Sequence, residues 1–145
     1  MNTNNQFSIT MPDRWSERTV YLFQGPDDSG VQHNLQLVIE PETDAADVAE
    51  YARDRIDNMM ASLQGAEILK EEEKTLSDGR AAYECVYKWI PVDGKVNFNK
   101  VVYLMLDGAG YTFMANFSKK TIKTIGVEVD RIIESFHPGA ESDDE

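Results

Sequence analysis

The chain has 145 residues, 26 acidic against 14 basic side chains, a formal net charge of −12, and 41% apolar residues. That length suits one domain with a real core, and that apolar content excludes global disorder. The acidic balance opposes binding to nucleic acid, where phosphate contact needs a basic surface, and adsorption to anionic lipid.

The opening MNTNNQ is polar and uncharged, with no basic or apolar leader region and no cysteine for a lipid anchor. No apolar run approaches the ~18 residues of a membrane span. The expectation is a cytoplasmic protein without a membrane anchor. Strands are expected over about 7–11, 19–24 and 33–40, interrupted by Pro12, Gly25, Pro26 and the cluster 27–30. In the second of these, Val20 and Leu22 point one way while Tyr21 and Phe23 point the other, because side chains alternate along a strand. An antiparallel strand with one wet face would be polar at every second position. This one is apolar on both faces, so its sheet is covered on both sides or keeps one apolar face open.

A helix follows. Asp44, with Asp47 three residues on, signals its start, and Gly65 its stop. Val48, Ala52, Ile56, Met59 and Leu63 recur at helical spacing, and Asp47, Glu50, Arg53, Asp54 and Asp57 lie largely opposite. Asp78-Gly79, Asp93-Gly94 and Asp107-Gly108 then divide the chain into four strands, about 68–76, 80–90, 96–106 and 111–118. Pro91 fits the end of a strand. A second helix over about 119–135 carries the stripe Ile122, Ile125, Val129, Ile132 and Ile133, weakened by Gly126 and closed by Phe136 before Pro138. Residues 1–138 read as a single domain and 139–145 as an acidic, solvated tail.

Strand parity separates two kinds of face. Leu35, Leu37 and Ile39, then Phe98, Val102 and Leu104, then Phe113, Ala115 and Phe117 form apolar faces. Gln36 and Val38, then Asn97, Asn99, Val101 and Tyr103, then Thr112, Met114 and Asn116 form a mixed face rich in neutral polar groups. The mixed face lies either under the second helix or along a groove.

No catalytic set is apparent. His33 and His137 lack partners at metal-ligand spacing. Asp27, Asp28 and Gly30 lack the spacing of a calcium loop. There is no phosphate loop, nucleophile elbow or dinucleotide fingerprint. Cys85 reads as a small buried hydrophobe, Glu71-Glu72-Glu73 as a solvated edge, and Tyr87 and Trp89 as packing aromatics. The expectation is a non-enzyme without metal or cofactor.

The opening Phe7-x-Ile9-x-Met11-Pro12-x-x-Trp15-x-x-Arg18-Thr19-Val20 resembles the start of DcrB-like domains. The resemblance continues through Tyr51-x-x-x-x-Ile56, Leu63-x-Gly65, the stretch from Gly79-x-Ala81-Ala82 to Tyr87-x-Trp89, and Ser135-Phe136. It implies an α+β, PsbP-like fold: an antiparallel sheet of six or seven strands flanked by helices. The family includes lipoproteins, uncharacterised proteins and the Eag (effector-associated gene) chaperones of type VI secretion. The resemblance to the Eag branch implies a cytosolic, dimeric adaptor that shields the N-terminal transmembrane helices of a PAAR or Rhs effector before loading. Its client-binding positions would be Val20, Leu22, Gln36, Val38, Arg55, Met59, Leu63, Asn97, Asn99 and Val101. Arg55 departs from that pattern, which favours a neutral amide, and Asn97 and Val101 exchange amide and apolar character. The other reading is a DcrB-like binding module with an unrelated ligand or a structural role. Each candidate position is either groove or core.

Overall fold

Two tight reversals set the register of the sheet. Ser29 and Gly30 (φ 55° and 80°), and likewise Asp107 and Gly108 (52° and 81°), adopt left-handed backbone on both central residues. Such two-residue loops match the twist of the strands they join. The first connects β1 (Thr19–Asp28) to β2 (Val31–Glu40), and the second connects β5 (Asn97–Leu106) to β6 (Ala109–Phe117). In this computed structural model, which describes residues 7–90 and 94–138, β3 (Glu67–Thr75) and β4 (Ala81–Trp89) complete a six-stranded antiparallel sheet in the order β1-β2-β6-β5-β4-β3.

Each face carries one helix. α1 (Val48–Ser62) takes the chain from β2 to the far edge at β3. Its cap is Asp47, whose carboxylate accepts the Glu50 N–H at 2.9 Å, one turn beyond the Asp44 start read from sequence. Tyr51, Ala52 and Ile56 are buried against Tyr83, Cys85, Tyr87, Val101 and Tyr103. Val48, Met59 and Leu63 flank this cluster half-buried, so the apolar stripe packs on the sheet with Tyr51 added to it. On the opposite face α2 (Ile125–Glu134) sets Ile125, Val129 and Ile133 against Leu35, Leu37, Val102, Leu104, Phe113 and Phe117. The largest enclosed side chains, Tyr51, Tyr103 and Phe117, are each worth about 1.5–3 kcal/mol of burial.

Several expectations are corrected. Residues 7–11 form no strand, because nothing in the fold pairs with them. β1 does not stop at Gly25 and Pro26. It runs to Asp28, and a register shift between Gln24 and Asp27 absorbs the proline. The second helix begins at Ile125 after a short 3-10 turn, Thr121–Lys123, and Ile132 faces outward rather than joining the core. The mixed face lies under α1, not α2, because the apolar face of β2, β5 and β6 takes α2. Pro91, Asp93 and the acidic tail lie outside the described residues; Gly94, the second residue of that turn, has φ 80°.

Candidate functional site

Cross-strand pairing sorts the mixed face into rows. One row reads Leu22, Gln36, Met114, Val101, Cys85, Glu71, and the next reads Val20, Val38, Thr112, Tyr103, Tyr83, Glu73. α1 packs over the β4 and β5 part of these rows. Over β1 and β2 the same rows stay bare: Leu22 is 66% exposed and Val20 52%, with Gln36 and Val38 half-buried beside them. Met114 and Met59 stand at the boundary, packed on the α1 cluster but still part-exposed. The result is a sheet face half covered and half open.

Nine of the ten sequence candidates, all but Arg55, divide into three groups on this face and the helix over it. Val20, Leu22, Gln36 and Val38 line the open half. Met59 and Leu63 edge it from α1, and Asn97 is half-buried at the start of β5. Val101 is fully enclosed beneath α1, and Asn99 is only 7% exposed. Asn99 Nδ2 has no hydrogen-bond partner among the described residues. Its neighbour across the ladder, Asn116, extends the sheet with its side chain, accepting the Asn34 N–H at 2.8 Å and donating to the Gln32 carbonyl at 3.1 Å.

Arg55 does not present a free charge to the open half. Its guanidinium forms a forked pair with Glu40, with Nε donating to Oε2 at 2.9 Å, and lies 4.0 Å from the centre of the Tyr51 ring. Tyr51 Oη donates to the same carboxylate at 3.1 Å and contacts Thr112 Oγ1 at 3.3 Å. Burial pushes the Glu40 carboxyl up, but hydrogen bonds and charge from Arg55, with Tyr51 and Arg18, outweigh it and hold the group below the usual carboxylate range. This cluster pins the first half of α1 to the end of β2. Sequence pattern does not mark this cluster as a unit, although Glu40, a single acid ending an apolar strand, is a usable signal for it.

The other candidates for chemistry are structural. His33 is buried, with Nδ1 at 2.8 Å from the Pro26 carbonyl oxygen and Nε2 at 2.8 Å from Thr121 Oγ1. Burial pushes the Cys85 thiol up to about 11, so it carries almost no thiolate at neutral pH. Among the described residues no cluster of His, Cys, Asp or Glu is placed to hold a metal, and no helix is long and apolar enough to cross a membrane. A second apolar hollow of about 240 Å³ lies on the α2 side, between Phe23, Leu35, Phe117, Val129 and Ile132.

A family model described as DcrB matches residues 7–135. Among solved structures, the chain is similar to a Pseudomonas aeruginosa protein of unknown function, PA94. The TM-score is 0.72 at 15% identity, with 94% of each chain covered. It is also similar to the cyanobacterial PsbP (CyanoP) of Synechocystis sp. PCC 6803, with TM-score 0.53 at 15% identity over 90% of this chain and 97% of that one. At these identities the likeness shows the fold alone: a PsbP-like α+β architecture. A search of curated proteins finds no significant match.

Proposed function

We propose that this chain, which belongs to the DcrB family, is a non-catalytic cytoplasmic adaptor chaperone that shields the apolar N-terminal helices of a PAAR or Rhs type VI effector. The observation that carries the reading is the half-open face. Val20, Leu22 and Val38 offer an apolar surface continuous with Met114 and Met59, and Gln36 places a side-chain amide within it. A transmembrane helix needs about 20 apolar residues and would aggregate in water, so a chaperone for one must present lasting apolar surface and remain soluble itself. A net charge of −12 serves the second need. Amides suit such a client because they can bond its polar groups at close-packed positions without adding charge.

The test is co-expression with the N-terminal helical segment of a PAAR or Rhs effector, followed by affinity capture and assay of the soluble fraction. The reading expects the segment to become soluble and to co-purify with the chain. A segment that stays insoluble, or that is soluble but not retained, overturns it.

A further inference from the structure

We draw no further inference here: the strongest candidate, the apolar hollow of about 240 Å³ between β1 and α2 lined by Phe23, Leu35, Phe117, Val129 and Ile132, carries nothing, because both ring nitrogens of His33 on its wall are already bonded to Pro26 and Thr121 and nothing in the structure shows what covers it.

Discussion

Gly110 on β6 lies so close beneath the Tyr51 ring that a Cβ there would occupy the place of the ring. Tyr51 is fully buried and is the side chain through which α1 reaches both the core and Glu40. Gly110→Ala must therefore displace the ring or shift the strand, and overpacking of this kind costs about 1–3 kcal/mol. Gly126→Ala is a contrast. A Cβ there meets Ile122 and Phe117 at 3.8–3.9 Å, ordinary contact, and Gly126 sits near the start of α2 at ordinary φ. That change should stabilise by about 0.5 kcal/mol through the unfolded chain. Urea midpoints of the two variants should move in opposite directions; a shift of the same sign would contradict the packing described.

Arg55 and Glu40 give a pH signature. The folded state holds the Glu40 carboxyl below its ordinary value, so its contribution is fully present above the unfolded value and is lost as pH falls through the folded one. In Arg55→Gln, burial acts on Glu40 with much less opposition. The expected cost at neutral pH is about 2 kcal/mol, under the ~3–5 kcal/mol of a fully buried pair because Arg55 keeps part of its side chain in water. A carboxyl raised by burial is stabilised by protonation, so the gap between variant and native chain should narrow as pH falls from 7 toward 4. Melting curves across that range would show it. A gap that stayed constant would mean the pair contributes no charge-dependent stability.

What the sequence made legible was local. Alternation assigned Leu35, Leu37, Phe113 and Phe117 to one face and Gln36, Val38, Asn99 and Val101 to the other, because parity needs no knowledge of neighbours. The Asp107-Gly108 pair marks its turn through its own φ preference. What failed depended on tertiary partners. Phe7, Ile9 and Met11 alternate as a strand would, yet a strand needs a ladder and none reaches them. Asp44 and Asp47 are equal candidates as a cap until α1 docks. Val38 and Val101 are alike in sequence and parity, and only the position of α1, over β4 and β5, closes one and leaves the other at the open half.

Cys85 offers a probe of the closed half. Its thiol is fully enclosed beneath α1 and pushed up to about 11, chiefly by burial, with Glu71 and Glu84 adding to it. A thiol reagent at neutral pH should react at the rate at which the core opens, and denaturant should raise that rate in step with unfolding. Fast, stoichiometric labelling of the native chain would mean that α1 leaves the sheet easily, and that the covered and open halves are not distinct in solution.

The division of the face is itself testable with acidic substitutions along one row. Leu22 and Val101 flank Gln36 and Met114 on the same line of the sheet, one mostly in water and the other wholly enclosed. Leu22→Asp leaves a solvated carboxylate, so its stability should stay within about 0.5 kcal/mol of the native chain. Val101→Asp places a carboxylate beneath α1 with no cation across the ladder, where it faces Met114 and Cys85. An unpaired buried charge of that kind should cost several kcal/mol and collapse the melting transition. Met59→Asp, at the boundary, should fall between the two. If the open half receives an apolar helix, Leu22→Asp should also abolish its capture while sparing the fold, because the carboxylate is solvated until the helix arrives and desolvated afterward. A Leu22→Asp chain that melts as early as Val101→Asp would show that residue 22 is core, and the open face would have to be abandoned as a binding surface.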